Sequence, residues 1–322
     1  MSKQPHTLPP DGVELHDIMI ASHDPGIELF LRNKRIPTKD PQPAILLVHG
    51  ATYPSVSLFD VDVGGASVMD ALALQGLDVW ALDVRGYGGS TRLPEMAQEP
   101  SGAKPLVPAV EAVGDVAAAV ERIKAIREIE RIALLGMSWG GSLAGLYASR
   151  HQESLSRLIL VAPLWLSAHP LRFDTGAPIM THRMVDVSAY RAAWLAPVPE
   201  TKRQTLLPDG WFERWREITD ETDSEAPKGK IRAPSGAVAD VRSHWTAGRP
   251  LYDPGLITTP VLMIRGEWDV DVTREMAADL FDSLVQAEQK ISLEIGSATH
   301  MLLMEPVREA ALQAIVAFTK GE

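Results

Sequence analysis

The sequence predicts an α/β fold: a mostly parallel, doubly wound sheet carrying a helical insertion. Three observations predict it. Between residues 44 and 162, short apolar β-branched runs alternate with helix-length segments, the pattern of a parallel sheet with helices on both faces. That rhythm breaks after Pro163, and residues 164–254 hold helical stretches and five of the eight tryptophans (Trp165, Trp194, Trp211, Trp215 and Trp245). It resumes at Pro260 and runs to the end of the chain.

The elements follow in order. The first ten or so residues, with three prolines, read as a loose arm. Residues 13–21 and 26–36 read as strands turning through Asp24-Pro25-Gly26. Ala44-Ile45-Leu46-Leu47-Val48 is a continuous apolar run, as a strand buried on both faces requires, and His49-Gly50 ends it. A helix at 65–76, a strand at 78–83, a helix at 106–128 and a strand at 131–136 come next. A small-residue helix and a strand at 156–162 complete the first half. After the insertion come a strand at 260–265, a helix at 273–288, a strand at 290–295 and a helix at 305–319. Residues 1–163 and 255–322 thus read as two parts of one core domain, with 164–254 as a mostly helical cap inserted between them. Within the cap, the polar run ITDETDSEAPKGK (218–230) reads as a mobile loop.

Composition narrows the function. Of 322 residues, 45% are hydrophobic and 23% charged, as in an ordinary soluble globular protein. A net charge of −11 argues against nucleic acid or an anionic membrane as partner. The chain has no cysteine, which excludes disulfides, thiolate catalysis and cysteine-ligated metals. The first residues lack the apolar stretch of a signal peptide, and no apolar run reaches the roughly 20 residues of a membrane helix. A cytoplasmic protein is the default expectation. Neither histidine spacing nor the glycine pattern at 86–89 fits a metal or phosphate site, so no metal and no cofactor are expected.

The most informative stretch is Gly136-Met137-Ser138-Trp139-Gly140, closing the apolar run 131–135 and opening the helix Gly141-Ser142-Leu143-Ala144-Gly145. A serine hydroxyl is a poor nucleophile unless it is exposed, aimed and given a base. A sharp strand-to-helix turn with flanking glycines does the first two. Three other loops at predicted carboxyl ends of strands carry polar groups: His49-Gly50-Ala51-Thr52, Glu267-Trp268-Asp269 and Ser297-Ala298-Thr299-His300. The 31 residues from Asp269 to His300 amount to one helix plus one strand, so both end neighbouring strands. An imidazole there can take the proton of Ser138 while a carboxylate fixes its tautomer. Glu267 and Asp271 are rival acids, with Asp269 preferred.

With these motifs the sequence resembles the α/β-hydrolase superfamily from about residue 25 onward, Asp83–Ser90 adding a further landmark. The resemblance implies Ser138 as nucleophile, His300 as general base and then acid, and Asp269 as its orienting acid. It also implies an oxyanion hole from the backbone N–H groups of Trp139 and Ala51. The loop lacks the HGGG and HG-x-P forms common in such proteins, which leaves Thr52 as an alternative to Ala51. His49 is expected to brace this loop rather than transfer protons.

The reaction expected is hydrolysis of a small to medium carboxylic ester through an acyl-enzyme, with a small-molecule partner; a homo-oligomer stays open. Family resemblance allows aromatic-acid monoesters such as monoalkyl phthalates. Trp139, Trp268, Trp165 and Arg183 are candidate substrate contacts, and His182 and Arg191 could also meet a substrate carboxylate. Lactone, amide or carbon–carbon bond hydrolysis would use the same triad. A ligand receptor with slow turnover is the alternative of another class.

Overall fold

The computed structural model of the protein describes residues 4, 5 and 8–322. Ten strands are present among them: β1 Glu14–Ala21, β2 Glu28–Arg35, β3 Ala44–Val48, β4 Asp78–Asp83, β5 Ile132–Met137, β6 Leu155–Val161, β7 His182–Asp186, β8 Lys230–Pro234, β9 Val261–Gly266 and β10 Lys290–Ile295. Eight form one sheet in the order β1-β2-β4-β3-β5-β6-β9-β10. Only the β1–β2 and β2–β4 pairings are antiparallel; from β4 to β10 the sheet is parallel. Strands β3, β4, β5 and β9 are buried along their whole length, which is why they read as unbroken apolar runs instead of alternating ones. Helices Val68–Leu74, Ala109–Arg127, Trp139–His151, Arg274–Ser283 and Arg308–Lys320 pack on this sheet. The α/β fold with a mostly parallel sheet is therefore as the alternation predicts.

Two of these helices begin inside the expected spans, where the residues before them set the start. Ser67 caps Val68–Leu74, its hydroxyl accepting from the Asp70 N–H while Asp70 reaches back to the Ser67 N–H. Pro108 precedes Ala109, so the helix expected from 106 starts there.

Three expectations need correction. The segment 164–254, read as mostly helical, also holds two strands: β7 and β8 pair antiparallel as a ribbon apart from the main sheet, and the helices Tyr190–Leu195 and Trp211–Asp220 lie between them in the chain. The run 218–230 is the end of a helix, a short turn and the first residue of β8. It is anchored by Asp223, which is buried and takes the Arg232 guanidinium (Nε to Oδ2, 2.9 Å). Low hydrophobicity signalled a loop there, but an ion pair supplies what apolar side chains do not. The loose arm falls partly outside the described residues; Gln4 is buried, and the Pro5 carbonyl accepts from Arg32 at 2.9 Å.

The tryptophans fasten the inserted segment to the core. Trp215 and Trp245 are fully buried, and the Trp215 indole donates to the Ser57 carbonyl at 2.9 Å. Trp194 packs edge-on against Trp215, with ring centroids 5.9 Å apart. No described helix is long and apolar enough to cross a membrane.

Candidate active site

Ser138 stands at the turn between β5 and the helix Trp139–His151. Its φ of 57° and ψ of −121° lie in a region that non-glycine residues rarely occupy, a strain sustained by the surrounding packing. The turn closes this tightly only because its flanking positions are glycines. A Cβ on Gly136 would stand 2.1 Å from the Gly140 carbonyl oxygen, and one on Gly140 would stand 2.3 Å from the Val48 carbonyl oxygen. The result is a hydroxyl lifted above the carboxyl end of β5.

His300 and Asp269 come from the loops after β10 and β9, which are adjacent parallel strands. His300 Nε2 lies 2.9 Å from Ser138 Oγ, and His300 Nδ1 lies 2.9 Å from Asp269 Oδ2. The other Asp269 oxygen accepts from the N–H groups of Asp271 and Val272, both at 2.9 Å. Of the three acids in the loop, Asp269 thus faces the imidazole. Glu267 instead accepts from the Ser297 N–H at 2.7 Å, and Asp271 borders the adjoining cavity. Burial disfavours the imidazolium, but the field and hydrogen bond of Asp269, aided by Asp271, outweigh it and raise His300 to about 9. In the neutral form, Nδ1–H points to Asp269 and Nε2 can accept the serine proton.

The loop after β3 is held from three sides. His49 Nε2 accepts from the Val84 N–H at 3.1 Å, so its proton lies on Nδ1, which donates to the Gly50 carbonyl at 2.8 Å. Burial keeps this ring below the ordinary histidine pKa and hence neutral, against the opposing field of Asp83. Because the peptide is trans, fixing the Gly50 carbonyl also fixes the Ala51 N–H on the opposite side. The Ala51 carbonyl accepts from the Tyr87 hydroxyl at 2.8 Å and from Arg183 Nη2 at 2.7 Å. Gly50 abuts the Ser138 turn, its ideal Cβ position lying 3.7 Å from Ser138 Oγ. The Trp139 N–H, first in its helix, has no intrahelical acceptor.

A cavity of about 650 Å³ opens above this group, walled by the core loops on one side and the inserted segment on the other. Arg183 and His182 line it; Arg191 does not. Trp139, Trp165 and Trp268 are also absent from its walls. The Trp139 indole is buried and donates to Asp240 Oδ2 at 2.9 Å; that of Trp165 donates to Asp279 Oδ2 at 2.7 Å. Sequence position puts both beside the site but says nothing of where the rings point.

Sequence reasoning missed two carboxylates. Asp240, on the inserted segment, accepts from the Trp139 indole and from the Ala109 N–H, both at 2.9 Å. Burial raises it to about 6. Glu305 is fully buried and accepts from the Trp194 indole at 2.8 Å and from the Thr299 N–H at 3.0 Å, bracing the residue before His300. An acid inside an otherwise apolar stretch, as in Gly236-Ala237-Val238-Ala239-Asp240, was the available signal. Among the described residues, one cluster of metal-ligating side chains occurs: Asp269, Asp271 and His300. Both His300 nitrogens are already engaged within the serine–histidine–aspartate chain, which leaves it no lone pair for a cation.

A hydroxyl, imidazole and carboxylate in line, at the carboxyl ends of parallel strands, define the class: an α/β-hydrolase. Residues 39–307 match the profile of a family described as serine aminopeptidase, S33, so the chain belongs to that family of α/β-hydrolases. No curated protein matches the sequence. Solved structures share the fold. A bromoperoxidase from Bacillus anthracis superposes with a TM-score of 0.65 at 15% identity, covering 95% of this chain and 100% of that one. An esterase from Thermogutta terrifontis gives 0.63 at 19% identity, covering 95% and 98%. A serine hydrolase from Cycloclasticus zankles gives 0.62 at 14% identity, covering 96% and 99%.

Proposed function

We propose that this hydrolase cleaves carboxylic esters through an acyl-enzyme formed on Ser138. The unbroken chain of 2.9 Å contacts from Ser138 through His300 to Asp269 carries that reading. Ser138 Oγ attacks the ester carbonyl carbon as its proton passes to His300 Nε2, and Asp269 stabilises the imidazolium. The Trp139 and Ala51 N–H groups receive the oxyanion; losing one such donor typically costs about 2.7–4 kcal/mol of barrier. Collapse breaks the bond to the alcohol oxygen, which leaves with the proton from His300. Water, deprotonated by the same imidazole, then releases the acid and restores the serine. This cycle requires no cofactor.

Residues 164–254 serve as a cap. The size of the cavity beneath it supports a small to medium substrate rather than a polymer. Aromatic-acid monoesters, monoalkyl phthalates among them, fall within that range. An acidic chain without cysteine supports a cytoplasmic setting.

Intact-mass measurement after reaction with an organophosphonate tests the mechanism, alongside Ser138→Ala and turnover of p-nitrophenyl esters. One adduct is expected, absent from the variant, together with turnover that the variant lacks. Turnover surviving in Ser138→Ala, or neither adduct nor turnover in the native protein, would overturn the proposal.

A further inference from the structure

Arg183 lies on β7 of the cap, against the loop that follows β3. Nη2 donates to the Ala51 carbonyl at 2.7 Å, with contacts at 3.4 Å to the Pro234 carbonyl and, from Nη1, to the Thr52 hydroxyl. Its Nε–H is shielded and meets no acceptor among the described residues. No carboxylate among them pairs with it either: the groups that favour its charge are the phenols of Tyr87 and Tyr53.

Other deeply placed arginines are treated differently. Arg32 takes Asp17 and Asp60, Arg85 takes Asp115, and Arg232 takes Asp223. Arg308 is held by two carbonyls, which shows that carbonyls suffice in a packed setting, but Arg308 borders no part of this cavity. Arg183 does, and burial opposes its charge without an internal anion to offset the cost.

The rest of the wall has the same bias. Arg172 and Arg242 also line the cavity, against Asp174 and Asp271, in a protein whose net charge is −11. Asp174 is bound to Arg242 (Nε to Oδ2, 2.8 Å), and Asp271 stands beside His300. Leu58, Phe173, Met180, Tyr190 and Val238 make much of the remainder apolar. A ligand that suits these walls has an apolar body and one anionic group. Ala51 follows Gly50, which abuts Ser138, so Arg183 is bonded to the same loop that borders Ser138, and both groups face one cavity.

We infer that the cavity selects esters bearing a free carboxylate, that is, monoesters of dicarboxylic acids, with Arg183 receiving that carboxylate. The inference rests on the ester-hydrolase reading and specifies its substrate. The net reaction is monoester anion plus water giving the dicarboxylate, an alcohol and one proton. Arg183 is the group that sets charge selectivity, and a neutral ester of the same shape leaves it unpaired.

The test compares monobutyl phthalate with butyl 2-carbamoylbenzoate, which share size and ester but differ in carboxylate against neutral amide. The native protein should favour the acid in kcat/KM by about tenfold to a hundredfold, the range of a charge-assisted hydrogen bond. Arg183→Met should bring the ratio close to unity, whereas Arg183→Lys should retain part of it. Because Arg183 also braces the Ala51 carbonyl, its variants can lose turnover on both esters, but a ratio cancels a uniform loss.

Calorimetric titration of phthalate and of glutarate dianions into Ser138→Ala, with and without Arg183→Met, reads binding with no turnover involved. A loss of affinity of about tenfold or more is expected with the second substitution. Equal cleavage of both esters by the native protein, or a preference that survives Arg183→Met, would overturn the inference and leave the esterase standing. Arg183-dependent binding of the dianions without Ser138-dependent cleavage would do the reverse: the carboxylate site would stand and the esterase reading would fall.

Discussion

At the scale of the residue, the sharpest expectation concerns the protonation of His300. An ordinary histidine would give a kcat/KM that rises through about pH 6–7. In the fold, Asp269 overcomes the effect of burial and moves the imidazole to about 9, so the rise should extend well into the alkaline range, as a pH–rate profile will read. In Asp269→Asn, burial acts without the carboxylate, so the midpoint should fall to 6.5 or below and kcat should drop by about 10⁴. The same shift bears on stability. A pKa raised in the folded state makes its contribution fully below about 6.5 and loses it as the pH climbs through about 9, which melts across that window can follow. Ser138→Ala should remove turnover by on the order of 10⁴ or more while leaving ligand affinity largely intact. Ser138 and His300 were legible because a strand–turn–helix signature and a strand-end loop are local patterns. Among Glu267, Asp269 and Asp271, the one that faces His300 is fixed in space by the N–H groups of Asp271 and Val272, which hold one Asp269 oxygen while the other meets the imidazole. The directions of the Trp139 and Trp165 rings were not legible, because the partners that fix them lie about a hundred residues away in the chain.

At the scale of elements, the Ser138 turn depends on close backbone passage. Gly140→Ala would place a methyl 2.3 Å from the Val48 carbonyl oxygen and should destabilise the fold by about 3 kcal/mol, measured by denaturant unfolding. Asp240 offers a finer test of how the inserted segment meets the core. Asp240→Ala strands the Trp139 indole and the Ala109 N–H and should cost about 1–3 kcal/mol. Asp240→Asn keeps an acceptor oxygen and, above about pH 6, removes a buried charge, so its cost there should be much smaller. The central strands β3, β5 and β9 were read to within a residue or two because full burial writes itself as largely apolar runs. The ribbon of β7 and β8 was not, since 43 residues separate its two strands and neither is long or apolar. The polar run before β8 misled for a related reason: composition registers missing apolar side chains but not the ion pair of Asp223 with Arg232.

At the scale of the whole molecule, strand–helix alternation specified a parallel sheet but not its order. That β4 lies between β2 and β3 depends on crossover connections that no local pattern records. The sheet also encloses a charged network that composition conceals. On β2, Lys34 is fully buried and donates to Asp60 at 2.5 Å and Asp70 at 2.7 Å, while Arg32 donates to Asp60 at 2.9 Å. Burial raises the Asp60 pKa against these cations, so the carboxylate depends on them to stay charged. Lys34→Met should therefore cost about 3–5 kcal/mol in denaturant unfolding, by leaving acids buried without their counter-ion.

The inserted segment meets three of the loops at the site through polar bonds: Asp240 with Trp139 beside Ser138, Trp194 with Glu305 behind the His300 loop, and Arg183 with Ala51 in the loop after β3. Its inheritance is thus not separable from that of the catalytic centre. Grafting onto this core a segment without counterparts of Asp240, Trp194 and Arg183 would strand three polar partners at once, whatever the shape of the new pocket. New specificities should arise in this lineage by point changes in the cavity wall, with the three fastenings kept, and chimeras should lose rate before they gain range.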